Sequence, residues 1–161
     1  LKSGGYCIVF LDVWKAGLMK SLAEKHRFKQ PRLCRWDKTN PVPINSKKNY
    51  LSNGSEYFIT LTKGTNPTFN SEYDKGIYTY PICSGKERTA HTTQKPLSLI
   101  SELVKKHSNV GDTIFDPFAG SGTTAVACMN LGRSFYMIEK DNNYYEIMTN
   151  RISKYEKEAE K

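Results

Sequence analysis

Hydrophobic and polar positions alternate along this chain in two rhythms. Residues 6–12 (YCIVFLD) form a continuous apolar run behind Gly4-Gly5 and predict a buried strand. Residues 13–25 place apolar side chains at 14, 18, 19 and 22 with charges between them, a helical spacing. Residues 31–36 (PRLCRW) and 56–62 (EYFITLT) predict a second and a third strand. The stretch 37–50 holds Pro41, Pro43 and three asparagines, so it reads as a loop. Residues 63–90 are rich in Gly, Asn, Thr, Tyr and Lys and show little periodicity. Irregular stretches of that length are often binding elements. Helical spacing returns at 96–106, with Leu97, Ile100, Leu103 and Val104 on one stripe. A strand at 113–116 (TIFD), a glycine-rich turn and a helix at 123–130 follow, ended by Leu131-Gly132. A strand at 134–139 and a polar-rich helix or pair of helices over 142–160 follow. Strands alternating with helices predict an α/β fold with a mainly parallel sheet.

Composition narrows the function. The 161 residues carry 24 Lys+Arg against 16 Asp+Glu, a formal charge of +8. That length suits one domain, and the basic balance suits a polyanionic partner, nucleic acid before membrane. A quarter of the residues are charged and 12% aromatic, which excludes a disordered chain. No apolar run approaches the roughly 18 residues of a membrane helix. Cys7, Cys34, Cys83 and Cys128 form no CxxC pair, and His26, His91 and His107 show no HxxxH spacing. No metal site is expected. Reduced thiols and a cytoplasmic setting are, since the start resembles neither a secretory signal nor a transit peptide. The first residue is Leu, not Met.

The strongest chemistry lies at 116–124, DPFAGSGTT, between a strand and a helix. Gly120 and Gly122 permit a tight turn and close approach of a ligand, at the strand ends where open α/β sheets bind. A second strand ends at Glu139, 23 residues after Asp116, where a carboxylate can accept hydrogen bonds from both hydroxyls of a ribose. A dinucleotide site would want GxGxxG with a glycine directly after the strand, and a Walker loop would want a Lys after the glycines. Neither is present. An Asp at the strand tip repels phosphate but suits a ligand bearing an ammonium and a sulfonium. S-adenosylmethionine has both, together with ribose hydroxyls.

With these residues placed, HTTQKP (91–96), then a helix, then DPFAGSGTT, then IEKD (138–141) resembles the β-group of DNA amino-methyltransferases. These bacterial and phage enzymes, many from restriction-modification systems, methylate adenine N6 or cytosine N4. The family string is usually HPTQKP, so Thr92 stands where a Pro is common. WDKTNPVP (36–43), NGSEYFITL (53–61) and LKSGGYCIVF (1–10) resemble further family segments in the family's order, so the likeness spans nearly the whole chain. It implies a Rossmann-like sheet with helices on both faces, a single methyltransferase domain over 1–161. It also implies that Asp116, Phe118, Ala119, Gly120, Ser121, Gly122, Thr123 and Thr124 line the S-adenosylmethionine site. Glu139 would bind the ribose, Lys140 or Asp141 would lie near the adenine, and Thr93, Gln94 and Lys95 would approach the methionine carboxylate. Lys38, Asn40, Lys47, Lys48 and Tyr50 are candidates for DNA contact. The stretch 63–90, with Tyr73, Tyr78, Tyr80, Lys75, Lys86 and Arg88, is the candidate target-recognition region. Double-stranded DNA is the expected partner, and a second copy of the chain is a further candidate.

The family's catalytic motif, (D/N/S)PP(Y/W/F), does not occur in the 161 residues. Asp116-Pro117-Phe118 lacks the second proline, as do the strings at Asn66 and Tyr80. In the family this motif lies on a strand between the one ending at Asp116 and the one at 6–12. The expected sheet is therefore incomplete at its catalytic strand, with no catalytic residue in the chain. An upstream segment of the same protein is expected to fill the slot, and without it the chain would be inactive. The intact protein would transfer a methyl group to the exocyclic amino group of a flipped base, adenine N6 favoured because TNPVP resembles the adenine-modifying members. The rivals are cytosine N4 specificity and a non-catalytic nucleic-acid-binding remnant or subunit. A nicotinamide oxidoreductase is disfavoured by Asp116 and by the missing third glycine.

Overall fold

The computed structural model describes residues 1–42 and 52–159. The chain forms two compact units, Leu1–Ile82 and a second from Cys83 onward. Among the described residues the first unit is a four-stranded sheet with one α-helix. Strand β1 (Tyr6–Leu11) leads through a 3-10 turn (Val13–Lys15) into α1 (Ala16–Lys25), followed by β2 (Phe28–Lys38), β3 (Ser55–Lys63) and β4 (Ile77–Tyr80). The sheet order is β1-β3-β2-β4. Asp12 starts the helical segment, its carboxylate accepting the Trp14 N–H at 3.1 Å.

The expected, mainly parallel sheet is corrected here. β3 runs antiparallel to both β1 and β2, and β2 pairs parallel with β4. The chain returns from β2 to pair beside it in the opposite direction. Alternation sorts the side chains. Cys7, Val9 and Leu11 join Ile59 and Leu61 against Ala23, Met19 and Phe28 of the helical side. On the other face Phe58 stacks with Phe10 at 4.9 Å and Tyr78 at 5.4 Å. Trp36, 1% exposed, pairs across from Tyr78, and its indole N–H donates to the Tyr80 carbonyl at 2.8 Å. β2 begins three residues earlier than its apolar pattern suggests. A register irregularity between Lys29 and Arg32, with Gln30 at φ +51°, breaks the alternation there. β4 lies within the stretch expected to be irregular. It is four residues long, and an Asp74 carboxylate accepting the Gly76 N–H at 2.7 Å turns the chain into it.

The second unit contains α2 (Leu97–His107), β5 (Thr113–Asp116), α3 (Thr123–Leu131), β6 (Ser134–Met137) and α4 (Asn142–Ala159). β5 and β6 are parallel, in register from Thr113↔Ser134 to Asp116↔Met137, as a β-α-β crossover requires. α3 is apolar around most of its circumference, so it is buried from Ala125 to Cys128, against the Leu99, Ile100, Leu103 and Val104 stripe of α2 and with Met148 of α4. Gly132, at φ +70°, caps α3, and the next residue turns back. That residue, Arg133, is buried. Its guanidinium donates to the Ser108 carbonyl at 2.7 Å, the Ser108 hydroxyl at 3.1 Å and the Leu131 carbonyl at 2.5 Å.

All four cysteines are free, and Cys34, Cys83 and Cys128 are buried. Burial pushes the Cys83 and Cys128 thiols up to about 11, so neither is a thiolate at neutral pH. No helix among the described residues is long and apolar enough to cross a membrane.

Candidate cofactor site

The glycine loop is shaped by two carboxylates. Asp116 ends β5, and its two oxygens accept the Phe118 N–H at 3.0 Å and the Thr124 hydroxyl at 2.7 Å. One side chain thus fixes the start of the loop and the first turn of α3. Glu139 lies two residues beyond β6 and holds the middle. Its Oε2 accepts the Gly120 N–H at 2.7 Å and its Oε1 the Asp141 N–H at 2.9 Å. The backbone bond from Asp141, aided by those from Gly120 and Lys140, holds the Glu139 carboxyl below its ordinary value, so it is charged at neutral pH. A carboxylate offers about four lone-pair sites. On Glu139 one is taken by the loop at Gly120 and others by the backbone at Lys140 and Asp141, which leaves capacity for a further donor. Main-chain bonds from Ala119 to Ile138 (3.0 Å) and from Ile138 to Asp116 (2.9 Å) clip the strand ends together beneath it.

Gly120 and Gly122 take φ +53° and +75°. A Cβ on Gly120 would stand 2.7 Å from His91 Nε2. The His91 ring is not free to retreat, because it packs on Tyr144 with centroids 4.2 Å apart and its Nδ1 accepts the Thr93 N–H at 3.3 Å. Gly120→Ala is therefore expected to cost about 1–2 kcal/mol from the left-handed backbone alone, more with the clash. A denaturant titration showing no loss would contradict this geometry.

The loop presents Phe118 almost fully to solvent, 86% exposed, and Ile138 is also exposed. An aromatic ring held out beside a charged carboxylate and a backbone turn can cover a flat heterocycle while its polar neighbours bind a ribose. Asp141 caps α4 by accepting the Tyr144 N–H at 3.1 Å, and Lys140 is exposed beside it.

Not every residue expected at the site presents its side chain to a ligand. Gln94 is 9% exposed, and both ends of its amide are used. Its oxygen accepts the Thr89 N–H (2.9 Å) and hydroxyl (2.8 Å), and its nitrogen donates to the Glu87 carbonyl at 2.8 Å. It shapes the loop that carries Thr93, which is exposed, and Lys95, whose Nζ donates to the Thr93 carbonyl at 3.2 Å. Thr124 is tied to Asp116, while Ser121 and Thr123 are buried and turn toward Arg151. Sequence reasoning missed His91 as a neighbour of Gly120, since one histidine has no spacing to mark it. Burial pushes its imidazole below the ordinary value, with Glu139 opposing. It also missed Tyr144, Met148 and Arg151, although their helical spacing is a signal.

The DNA-contact candidates lie in the first unit where they are described. Lys38 pairs with Glu56 at 3.0 Å, and the Asn40 amide oxygen accepts the Ile82 N–H at 2.8 Å. Lys47, Lys48 and Tyr50 lie outside the described residues. The recognition candidate 63–90 is divided between the units. Within it Tyr78 belongs to the sheet core, and Tyr73 is exposed.

The chain is similar to known proteins in sequence and fold. A family model described as DNA methylase, of the N6/N4 type, matches residues 1–150. Type II methyltransferase M.HinfI of Haemophilus influenzae is 31% identical over 135 residues, covering 73% of this chain and 37% of its own length. Type II methyltransferase M2.MboI of Moraxella bovis is 32% identical over 141 residues, covering 80% of this chain and 51% of its own. The chain thus spans about half or less of these relatives. Among solved structures, the M1.HpyAVI–SAM complex superimposes with a TM-score of 0.84 at 30% identity, over 94% of this chain and 76% of that one. The strand, carboxylate, glycine turn and helix built around Asp116 and Glu139 therefore sit within a Rossmann-like methyltransferase fold, and the chain belongs to the N6/N4 DNA methylase family.

Proposed function

We propose that the protein carrying this chain is an S-adenosylmethionine-dependent DNA methyltransferase acting on the exocyclic amino group of a flipped base, with adenine N6 favoured. The two units are parts of one methyltransferase domain, a reading supported by the family match over residues 1–150. The observation that carries the proposal is the pair of carboxylates on the glycine loop. Asp116 holds that loop with both oxygens and Glu139 holds it with Oε2 at Gly120, and both carboxylates retain lone pairs for a ligand's ammonium and hydroxyl groups. Phe118 is exposed for stacking. S-adenosylmethionine, when bound, supplies an electrophilic methyl group. The chain's residues hold and orient it, with Lys95 contributing positive charge near the methionine carboxylate.

Double-stranded DNA is the proposed partner, favoured by the charge of +8. Lys47, Lys48, Tyr50 and the exposed part of 63–90 are the proposed contacts, and the cytoplasm is the proposed compartment. Adenine is favoured by the likeness of TNPVP to adenine-modifying members. A second reading is a non-catalytic nucleic-acid-binding remnant or subunit that keeps the fold.

The test is titration of the intact protein with S-adenosylmethionine by calorimetry, followed by transfer from methyl-labelled cofactor into duplex DNA. Saturable binding and label recovered as N6-methyladenine are expected. Label in N4-methylcytosine overturns the choice of base. Binding without transfer supports the second reading, and no binding refutes the cofactor assignment.

A further inference from the structure

The polar pattern of α4 suggests a solvated surface helix, yet one of its faces lies under the glycine loop. Tyr144, Met148 and Arg151 follow at i, i+4 and i+7, a single helical stripe. Tyr144 packs on His91, the ring beside Gly120. Met148, 2% exposed, lies directly beneath Gly122, where an added Cβ would come within 2.7 Å of its Cγ. Arg151 completes the stripe. Its Nη1 reaches the Thr123 hydroxyl at 3.0 Å and the Ser121 carbonyl and hydroxyl at 3.3 and 3.4 Å.

We propose that Arg151 is the positioning residue of the glycine loop, acting from α4 through Ser121 and Thr123. The proposal rests on the reading of that loop as the S-adenosylmethionine site. The loop needs an external hold. Gly120 and Gly122 both adopt left-handed backbone, and Gly is the residue with the most freedom to leave it. Within the turn, the Gly122 N–H bonds the Ala119 carbonyl at 2.8 Å and the Val126 N–H bonds the Gly122 carbonyl at 3.1 Å. Carboxylates grip the loop at Asp116 and Glu139. Arg151 is the cationic grip, and it falls on the stretch between Gly120 and the first turn of α3, which the carboxylates do not reach before Thr124. Ser121 and Thr123 are buried, so without Arg151 their polar atoms would lose a charged donor. The two hydroxyls therefore act on the cofactor through the shape of the backbone rather than by touching it.

Arg151→Met keeps the apolar stem and removes the donors, and Arg151→Lys restores one cation. Amide exchange is measured on the intact protein without added cofactor, and methyl-transfer kinetics on the same samples. In Arg151→Met, exchange at Gly122 and Val126 is expected to accelerate about tenfold, the loss of one charged hydrogen bond, while Phe58 and Ile59 of β3 keep the parental rates. The KM for S-adenosylmethionine is expected to rise by a similar factor with kcat at saturating cofactor unchanged, and Arg151→Lys to recover part of both. Unchanged exchange at Gly122 and Val126 overturns the proposal whatever the cofactor does. Equal acceleration throughout the protein overturns it too, because Arg151 would then be a general structural residue. A parental protein that binds no S-adenosylmethionine overturns the reading of the site, and the exchange rates still report whether Arg151 holds the loop.

Discussion

Glu139→Ala is expected to weaken S-adenosylmethionine binding by about a hundredfold, the equivalent of roughly two charge-assisted hydrogen bonds at the low end of their range. The loss has two sources. The carboxylate gives up the hydroxyl contacts proposed for it, and the Gly120 and Asp141 N–H groups lose their acceptor. The loop then loses its central tether just where Gly120 holds a left-handed turn. Glu139→Gln keeps one acceptor oxygen and is expected to fall between alanine and the parent. Calorimetric titration of the three proteins measures this directly, and an alanine variant that binds within threefold of the parent would sink the ribose role. Charge matters as well as shape. The folded carboxyl titrates below its ordinary value of 4.5, so its contribution is complete above that pH and is lost as the pH falls through the depressed value. Cofactor affinity should therefore hold steady through the neutral range and fail only in acid.

The largest stability effect is expected at Trp36, in the first unit. Trp36→Ala should cost about 3–5 kcal/mol, the range for removing a buried aromatic. The side chain is 1% exposed, on the face where Phe58 stacks with Phe10 and Tyr78. Its indole N–H also holds the Tyr80 carbonyl at the end of β4. Among the described residues β4 pairs with β2 alone, over only four residues. Trp36→Phe separates the two contributions, retaining most of the ring volume and losing about 1 kcal/mol for the hydrogen bond. Denaturant melts read both differences. A Trp36→Ala protein within 1 kcal/mol of the parent would mean that this face is not the core it resembles.

The second unit was the more legible in the sequence. Apolar runs at 113–116 and 134–139 and the string DPFAGSGTT located β5, β6 and the loop between them, because a β-α-β crossover is encoded locally. The glycines, the strand-tip Asp and the cap at Gly132 all lie within 20 residues. The antiparallel course of β3 was not legible. Pairing direction depends on how a connection returns, and the apolar pattern of a strand is the same either way. β4 escaped because four residues are too few to establish alternation. Side-chain direction within the loop was the deepest gap. Ser121 and Thr123 look like ligand contacts by position, but they turn toward a guanidinium supplied 30 and 28 residues later. Gln94 likewise looks like a ligand contact in its string and is committed to the turn at 87–89.

The clasp at Arg133 has a consequence for how the second unit responds to its solution. Its acceptors are peptide carbonyls and a hydroxyl, not carboxylates, and two of them lie at the ends of α2 and α3, where helix dipoles concentrate negative potential. Neither a guanidinium nor a peptide carbonyl changes charge over the pH range in which proteins work. Being buried, the clasp is also poorly reached by mobile ions. The clasp itself therefore responds little to acidity and ionic strength, while the carboxylate-held glycine loop remains sensitive to acid.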